Sequence, residues 1–594
     1  MTILLAAVNA KYIHSNPGIY SLKAYAQTVN GADCPDIELA EYTINHQPEQ
    51  VLKDLYRRRP QVIGFSCYIW NITFIRGLTG DLAKILPETE IWLGGPEVSF
   101  NCQEMLEELP GVRGIMKGEG EEIFARLARA YGDSWGGRTP ETNRSGDAAG
   151  NLPAVPDTSL AAIPGLCFRL PDGTFADTPQ NPVMDLSALP FYYGQMGLDG
   201  LEHRIVYYES SRGCPFSCSY CLSSVDKALR FRDLELVKAE LDYFLERKVP
   251  QVKFVDRTFN CKKSHAMAVW RHILERDNGI TNFHFEIAAD LLDEEQMALL
   301  KQMRPGLIQL EIGVQTTNPR TLEEIHRKTD IGRIGDLTAR INSWHNIHQH
   351  LDLIAGLPYE GIGRFRQSFN QVYAMEPEQL QLGFLKVLKG SHMAQMQNEY
   401  GLCCSCLPPY EVLSTRWITY GELLELKDVE EMLEVHFNSR QFVHTLAMFC
   451  GEFSTPYDMF LHMAGYYRSR GLTGISHSRI ARYDIFWEMI MALDLDEMRL
   501  EMYRDLLMYD LYLRENVKSR PVFARDQSRF KGRVRELFQA EAASPVYLTG
   551  YEGYDSRQMS KMAHAEGMGD GSLVLFDYRA RDPLSHNAAA YRIP

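Results

Sequence analysis

The chain has 594 residues, of which 45% are hydrophobic and 23% are charged, and its formal net charge is −15. This length predicts about three domains, and the composition is typical of a globular protein outside the membrane. The acidic balance argues against nucleic acid as a partner, because such surfaces carry basic stripes. No run approaches the ~20 apolar residues of a membrane span, and residues 1–10 read as a buried strand rather than a signal peptide. We therefore expect a cytoplasmic protein without membrane contact.

Residues 1–131 alternate short apolar runs with helical patterns. Strands are expected at 3–8, 62–66, 91–93 and 114–117, and helices at 17–28, 47–58, 72–86 and 121–131. This alternation predicts an α/β, Rossmann-like domain with a parallel sheet. Ligands of such sheets bind at the carboxyl ends of the strands. The residues expected there are 9–14, 66–71, 94–97 and 118–121.

Residues 132–203 are interpreted as a linker and an extended arm, because their first part is rich in Gly, Pro and Ser. A hairpin is expected within them, with Asp172 and Gly173 as its turn.

Residues 204–390 alternate strand and helix about six times, which predicts a partial (β/α)6 barrel of the TIM type. The expected strands are 205–210, 252–255, 283–288, 307–313, 350–354 and 380–385. Asp233, the capping-box pair Asp293 and Gln296, and Asn318 before Pro319 mark helix starts.

Residues 391–594 are expected to form a mainly helical C-terminal domain, with helices up to about residue 541. Residues 546–548 and 572–577 are expected to add a small sheet. The basic segment 518–535 is interpreted as a solvated helix face, with a phosphate or RNA site as the alternative.

Three cysteines stand close together directly after the first barrel strand. The segment 211–224 reads SRGCPFSCSYCLSS and contains Cys214, Cys218 and Cys221. Three thiolates at these spacings can bind one cubane cluster, which normally takes four cysteines, so one iron stays open to an external ligand. A zinc site is the alternative, but zinc normally takes a fourth Cys or His ligand, and neither His203 nor Cys261 has a recognised spacing.

This cysteine segment resembles the signature of the radical S-adenosylmethionine (SAM) superfamily. The resemblance implies that the three cysteines hold a [4Fe-4S] cluster and that SAM chelates its open iron. Reductive cleavage of SAM would then yield a 5′-deoxyadenosyl radical, chemistry that the cofactors supply and the protein orients. The residues that the resemblance implies as SAM contacts are Tyr220, Asp256, Glu286 and Gln315.

Three glycine-rich segments follow predicted strands in the N-terminal region, at 64–70, 93–99 and 117–122. Glycine lets the backbone approach a large planar ligand, although it also simply shapes turns. The segments resemble the cobalamin-binding domain that precedes many radical SAM enzymes. The residues implied as cobalamin contacts are Ser66, Tyr68, Gly94, Gly95, Pro96, Glu97, Gly118, Glu119 and Gly120.

The Asp-x-His-x-x-Gly motif of cobalamin mutases is absent, so the lower ligand of cobalt is open between His14, Tyr68, Trp70 and water. A second cysteine group, at Cys403, Cys404 and Cys406, is interpreted as a reduced loop or a thiol function rather than an auxiliary cluster.

The combined resemblance is to the class B radical methyltransferase-like subclass, with a C-terminal domain of unknown function. It implies methyl transfer to an unactivated centre of a small molecule or peptide, with flavodoxin or ferredoxin as electron donor. Two alternatives stay open: radical cyclisation or rearrangement without methyl transfer, and a non-catalytic cobalamin and cluster sensor.

Overall fold

The computed structural model describes residues 2–135, 155–225 and 227–594. Part of the expected linker, residues 136–154, therefore lies outside the described residues. The chain forms two compact units. The first comprises Met1–Gln302, Glu323–Thr329 and Phe384–Arg416, and the second comprises Met303–Leu322, Asp330–Gly383 and Trp417–Pro594.

The N-terminal part of the first unit is an α/β sheet of seven strands. Its elements are β1 (Thr2–Asn9), α1 (Pro17–Asn30), β2 (Asp36–Thr43), α2 (Pro48–Arg58), β3 (Val62–Ser66), α3 (Ile72–Ile85), β4 (Glu90–Gly94), α4 (Cys102–Glu108), β5 (Gly114–Met116), α5 (Gly120–Trp135), α6 (Asp157–Ala161), β6 (Leu166–Arg169) and β7 (Phe175–Asp177). The strand order is β2-β1-β3-β4-β5-β6-β7, and β1 to β5 pair in parallel. The direction in which successive strands are added to the sheet reverses between β1 and β3. Ligands of α/β sheets bind at such a switch point, at the carboxyl ends of the strands.

This sheet is buried on both faces. Leu4 and Ala6 of β1 belong to one apolar core, whereas Ile3 and Leu5 belong to another. Successive side chains of a strand point to opposite faces, so the continuous apolar run in β1 is explained by helices covering both sides.

Strand β2 and helix α4 were not expected from the sequence, and the hairpin was expected outside the sheet. Strands β6 and β7 do form the hairpin whose turn holds Gly173, at a φ of 86°. However, β6 pairs antiparallel with β5 and so extends the N-terminal sheet. The close approach requires Gly114, because a Cβ there would lie 2.8 Å from the carbonyl oxygen of Cys167.

The rest of the first unit before residue 303 begins the barrel region. Its elements are α7 (Tyr192–Met196), β8 (Val206–Tyr208), β9 (Ser211–Arg212), β10 (Arg230–Phe231), α8 (Leu234–Glu246), β11 (Gln251–Phe254), α9 (Lys263–Glu275), β12 (Asn282–Ile287) and α10 (Glu294–Leu300). Strand β11 pairs in parallel with β8 and with β12. Two of the three expected helix starts are confirmed as caps: Asp233 caps α8, and Asp293 and Gln296 form a capping box on α10.

The barrel region continues with three further strands and their helices. The elements are β13 (Ile308–Gln315), α11 (Pro319–Glu324), α12 (Ile331–Asn342), β14 (His348–Ala355), α13 (Ile362–Tyr373) and β15 (Gln379–Phe384). All six expected barrel strands are therefore present. In the second unit, β13 and β14 pair in parallel, with Glu311 opposite His350.

The C-terminal region is mainly helical, as expected. Its elements are α14 (His392–Gln395), α15 (Gln397–Tyr400), β16 (Cys403–Cys404), β17 (Val412–Ser414), α16 (Tyr420–Met432), α17 (Val443–Cys450), α18 (Pro456–Ser469), α19 (Arg479–Met491), α20 (Glu497–Arg514), α21 (Lys531–Ala543), α22 (Ser556–Met562), β18 (Ala563–Gly567), β19 (Leu573–Arg581) and β20 (Ala588–Ile593). Among the residues described, no helix has both the length and the apolar character that crossing a membrane requires.

The expected strand at 546–548 is wrong. The backbone N–H groups of Val546, Tyr547 and Leu548 all donate to one carboxylate oxygen of Glu541, at 2.8–3.1 Å. These donors are thus used locally at the end of α21, and the small antiparallel sheet consists of β18, β19 and β20 instead.

Candidate functional site

A cavity of about 760 Å³ lies in the first unit at the carboxyl ends of the N-terminal strands. The residues that line it include Ser66 after β3, Tyr68, the Gly94–Gly95–Pro96 turn after β4, and Gly118–Glu119–Gly120 after β5. Its size is that of pockets that enclose a large organic ligand. Eight of the nine cobalamin contacts implied by the sequence therefore line one cavity.

The glycines of this cavity fit a ligand that approaches the backbone closely. Gly118 has a φ of 78°, and a Cβ placed on it would meet no atom within 4 Å, so its Cα faces open space. Gly95 has a φ of 113°, and a Cβ there would lie 2.5 Å from the carbonyl oxygen of Cys67. The turn at Gly95 thus depends on glycine for close packing, whereas Gly118 leaves room for a ligand.

Glu97 does not line the cavity. It is buried, and its carboxylate forms an ion pair with Lys389 Nζ at 3.1 Å and accepts a hydrogen bond from Tyr410. His14 is also absent from the cavity wall, and its Nδ1 lies 2.6 Å from the hydroxyl of Tyr207. Burial and the nearby charges of Lys11 and Lys253 lower the pKa of His14.

Tyr68 and Trp70 form a stacked pair at the end of β3. Their ring centroids lie 4.4 Å apart with an interplanar angle of 6°. Tyr68 lines the cavity, while Trp70 is exposed. Of these two rings, Tyr68 is therefore the one placed to contact a ligand in the cavity.

The three cysteines lie on a loop that begins after β9 and is closed by the antiparallel pairing of β9 with β10. Gly213 starts the loop with a φ of 92°, and a Cβ there would lie 2.7 Å from the carbonyl oxygen of Ala228. Cys214 and Cys218 are buried and Cys221 is half-buried. All twelve cysteines of the chain are free thiols, so this set of three soft donors is available to a thiolate-bound cluster.

The cavity extends to the cysteine loop. Leu222, Ser223 and Val225, which follow Cys221, line the cavity, as does Arg212 of β9. One cavity is therefore bounded both by the N-terminal strand ends and by the residues directly after the third cysteine.

Arg327 is a site residue that sequence reasoning missed. Its Nη1 lies 3.7 Å from Sγ of Cys218 and donates to the Tyr220 hydroxyl at 3.4 Å. A guanidinium beside a thiolate sulfur stabilises negative charge on it. Burial raises the pKa of the Cys218 thiol, while Arg327 opposes that shift.

Asp256 is completely buried beneath the start of the cysteine loop. Its carboxylate accepts hydrogen bonds from the Ser210 backbone at 2.9 Å, the Ser210 hydroxyl at 2.8 Å and the Ser211 hydroxyl. Burial raises the pKa of Asp256 to about 7. These hydrogen bonds join the segment after β11 to Ser210 and to Ser211 of β9, so Asp256 supports the strand from which the cysteine loop starts.

The other two expected SAM contacts lie on barrel strands. Glu286 is half-buried on β12 in the first unit. Gln315 ends β13 in the second unit, with a φ of 72°, where the pairing with β14 shifts register. A left-handed non-glycine residue at a strand end is uncommon and marks a locally constrained position.

The second cysteine group belongs to a short hairpin, β16 paired with β17. Cys403 and Cys406 are exposed, and the Cys404 thiol accepts a hydrogen bond from Gln397 at 3.0 Å.

In the basic segment 518–535, Arg520 pairs with Glu566 at 2.7 Å and Arg525 pairs with Asp505 at 3.0 Å. Two of its cations are thus neutralised within the second unit.

Three family models match the chain. A B12 binding domain matches residues 3–128, the radical SAM superfamily matches residues 208–372, and a protein of unknown function (DUF4080) matches residues 398–571. The chain therefore combines a B12-binding domain, a radical SAM domain and a DUF4080 domain. The predicted fold class is confirmed, as are the predicted cofactors cobalamin, a [4Fe-4S] cluster and SAM.

Curated relatives include the cobalamin-dependent radical SAM methyltransferase TokK of Streptomyces tokunonensis, 26% identical over 58% of this chain and 50% of the relative. Another is the anaerobic magnesium-protoporphyrin IX monomethyl ester cyclase of Rubrivivax gelatinosus, 22% identical over 48% of this chain and 49% of the relative. The chain thus spans about half the length of these curated relatives.

Two solved structures show the same fold. The cobalamin-dependent SAM radical enzyme OxsB superposes with a TM-score of 0.57 at 14% identity, covering 86% of this chain and 79% of OxsB. The radical SAM methyltransferase TsrM of Kitasatospora setae gives a TM-score of 0.52 at 18% identity, covering 68% of this chain and 77% of TsrM.

Proposed function

We propose that this B12-binding radical SAM protein is a cobalamin-dependent methyltransferase that acts on an unactivated centre of a small molecule or peptide. The observation that supports the proposal is the shared cavity, which is lined by the strand ends of the N-terminal sheet and by Leu222, Ser223 and Val225 after the third cysteine. A methyl carrier and a SAM-cleaving cluster must face a common space for methyl transfer to follow radical formation.

In this proposal Cys214, Cys218 and Cys221 hold the cluster. When bound, the cluster and cobalamin supply electron transfer to SAM and a transferable methyl group. The loop contributes by fixing three thiolates and leaving the fourth position to SAM. Arg327, which lies beside Cys218 Sγ and donates to the Tyr220 hydroxyl, stabilises negative charge on Cys218 in this proposal, and Tyr220 is proposed to contact adenine.

We assign the cobalamin cradle to Ser66, Tyr68, the 94–96 turn and the 118–120 turn. Glu119 acts here through its backbone, because its carboxylate accepts a hydrogen bond from Arg230 at 2.9 Å. The carboxylate of Glu97 forms an ion pair with Lys389. We therefore propose that Glu97 stabilises the turn after β4 and does not contact the ligand. The remaining assignments are Glu286 and Gln315 as SAM contacts and Asp256 as a support for the cysteine loop.

The domains that go with this assignment are residues 1–131, 204–390 and 391–594, and residues 132–203 form the linker and arm.

Radical SAM enzymes take an electron from a donor, and we propose flavodoxin or ferredoxin for this role. We place the protein in the cytoplasm, in agreement with its sequence.

A cyclase is the second candidate, because several curated relatives are named as anaerobic magnesium-protoporphyrin IX monomethyl ester cyclases. Such a reaction would consume SAM without transferring its methyl group. The two candidates therefore differ in which SAM-derived products accumulate.

The test uses the anaerobically purified, cluster-reconstituted chain with cobalamin, a reductant and SAM. Methyl transfer requires both 5′-deoxyadenosine and S-adenosylhomocysteine as products. The Cys218→Ala variant should lose 5′-deoxyadenosine, whereas Cys450→Ala, at an isolated half-buried thiol in α17, should keep both products. Deoxyadenosine without S-adenosylhomocysteine would instead support the cyclase.

A further inference from the structure

Two buried cysteines face each other where helix α4 packs against strand β6. Cys102 is the first residue of α4, Cys167 lies in β6, and both belong to the apolar core that contains the buried side chains of α4. Leu166 and Phe168, the neighbours of Cys167 in β6, belong to the other core. Since successive side chains of a strand point to opposite faces, Cys167 points to the side of the sheet on which α4 lies.

A second contact, one helical turn further along, fixes the alignment of α4 with β6. Leu106 stands four residues after Cys102, and its backbone carbonyl accepts a hydrogen bond from the Arg169 guanidinium. Arg169 stands two residues after Cys167 and so shares its face of β6. Four residues of helix rise about 6 Å and two residues of strand rise about 6.6 Å, so the two pairs lie side by side. The packing of α4 on β6 therefore holds Cys102 against Cys167.

The two thiols are hydrogen-bonded to each other. This bond lowers the pKa of Cys102 more than burial raises it, the charge of Lys117 adds to the lowering, and the same bond raises the pKa of Cys167. By contrast, burial raises the pKa of Cys67, in the same core, to about 12. Because the thiolate is the reactive form of cysteine, Cys102 is the most reactive of these three buried thiols.

We propose that Cys102 and Cys167 form a redox-active pair that hydrogen peroxide converts into a disulfide, and that this disulfide weakens cobalamin binding. Cys102 reacts first, because it retains 8% exposure whereas Cys167 has none. Disulfides of proteins in reducing compartments are typically transient and redox-sensing, which is the behaviour expected of this pair.

The oxidation takes place in two steps. The Cys102 thiolate attacks one oxygen of the peroxide and becomes a sulfenic acid, while the O–O bond breaks and the released hydroxide takes up the proton that Cys102 had lost. The Cys167 sulfur then attacks the sulfenic sulfur, the S–S bond forms, and the sulfenic hydroxyl leaves as water with the Cys167 proton. Two thiols and one peroxide thus give one disulfide and two waters, and the two electrons of the thiols reduce the peroxide.

The disulfide acts on the cavity through Ser99. The Cys102 thiol donates a hydrogen bond to the Ser99 carbonyl at 3.2 Å. The Ser99 hydroxyl in turn donates to the Gly95 carbonyl at 2.8 Å and accepts a hydrogen bond from the Gly118 backbone at 3.3 Å. Ser99 thus connects the 94–96 turn with the 118–120 turn, and both line the cavity. A disulfide has no S–H donor, so its formation breaks the hydrogen bond that fixes the Ser99 backbone.

The effect on cobalamin rests on the proposed cradle, in which these two turns contact the cofactor. When Ser99 loses the Cys102 donor, the two turns are held less firmly relative to each other. We expect the Kd for cobalamin to rise about tenfold, the size of effect that follows from leaving one buried acceptor without its donor.

The experiment treats the anaerobically reconstituted full-length chain with increasing amounts of hydrogen peroxide. Mass spectrometry of the digested chain should show a cross-linked peptide pair containing Cys102 and Cys167, which dithiothreitol separates. Absorbance titration then measures the Kd for cobalamin before and after dithiothreitol. The Kd should rise about tenfold in step with the cross-linked fraction and return to its initial value on reduction. Iron content is measured alongside, because dithiothreitol does not restore a lost cluster.

Two variants separate this pair from the other thiols. Cys102→Ser keeps a hydroxyl donor for Ser99 but cannot form the disulfide, so peroxide should leave its Kd unchanged. The matched control Cys34→Ser removes a half-buried thiol between α1 and β2 and should respond to peroxide as the wild type does. Circular dichroism checks that both variants are folded. If Cys102→Ser fails this check, the wild type decides, because its Kd must follow the cross-linked fraction at every peroxide dose.

Three results would overturn the proposal: absence of the Cys102–Cys167 cross-link, a Kd that does not follow it, or an equal rise of the Kd in Cys102→Ser. None of these readouts depends on SAM cleavage, so a failure here is separable from a failure of the proposed methyl transfer.

Discussion

Arg230 and Glu119 connect the cysteine loop to the wall of the cavity. Arg230 lies on β10, which closes the cysteine loop, and its guanidinium donates to both carboxylate oxygens of Glu119, with one bond at 2.9 Å. Glu119 itself stands in the 118–120 turn after β5. Both side chains are mostly buried, at 14% and 19% exposure. The turn that lines the cavity is thus fixed by a charged pair to the strand that ends the loop.

This pair predicts weaker cobalamin binding in Glu119→Gln. Hydrogen bonds between charged groups contribute about 1.5–3 kcal/mol, and glutamine can keep only one acceptor. A loss of ~1.4 kcal/mol corresponds to a tenfold higher Kd. Absorbance titration with cobalamin should show an increase of about that size, with iron content unchanged. Asp81→Asn, which removes an exposed pair with Lys84, serves as the control and should leave the Kd unaltered.

Arg327→Gln should lower the reduction potential of the cluster. The guanidinium stabilises the more negative, reduced state through its contact with Cys218, and potentials depend on charge and hydrogen bonds at the sulfurs. Redox titration followed by electron paramagnetic resonance measures the shift. Arg327→Lys, which keeps the charge, should retain part of the wild-type potential, and an equal shift in both variants would argue for a purely structural role.

Gly213→Ala should destabilise the cysteine loop. Alanine at a φ of 92° is strained, and its Cβ would lie 2.7 Å from the Ala228 carbonyl. Backbone strain of this kind costs about 1–3 kcal/mol, before the clash is added. We expect reduced iron content after reconstitution and a lower midpoint of thermal unfolding. Gly200→Ala, at a φ of 81° with no atom within 4 Å of the added Cβ, isolates the strain from the clash and should cost less.

His436 should make the second unit less stable in acid. It is buried beside Phe442 and Phe486, and burial, followed by the charge of Arg482, lowers its pKa to about 3. Between pH 6.5 and 3 the unfolded chain binds a proton at this position and the folded chain does not. The free energy of unfolding therefore falls with falling pH, by up to about 1.4 kcal/mol per pH unit from this group.

The His436→Gln variant should lose that slope in urea unfolding measured from pH 5 to 7. His444 gives the opposite sign, because the hydrogen bond to Asp510 raises its pKa. Its contribution is present below pH 6.5 and is lost as the pH rises through the raised value. His444→Gln should accordingly remove a stabilisation at low pH, and parallel behaviour of the two variants would contradict the assignment.

The sequence allowed predictions for features that depend on residues close to one another in the chain. The spacing of Cys214, Cys218 and Cys221 predicts a loop of convergent thiolates, which stays a prediction. The glycines after β4 and β5, which were expected at a ligand-binding edge, line the cavity. Helix starts such as Asp293 were also predictable, because a capping box needs only residues three apart.

Contacts between distant positions could not be predicted in this way. Arg327 is 109 residues from Cys218, and nothing in its own neighbourhood signals the cluster. Strand β2 was missed because acidic residues interrupt its apolar pattern, as an edge strand with one solvated side allows. Glu97 was misread for a related reason: its neighbours are cavity residues, but its partner Lys389 comes from far along the chain.

The wall formed by Leu222, Ser223 and Val225 implies an order of maturation. These residues follow Cys221 directly, so a cluster held by Cys221, as proposed, should also order that side of the cavity. Cobalamin should therefore be retained best by chains that have already received their cluster. A cell short of iron would then accumulate protein deficient in both cofactors, even with an ample vitamin supply.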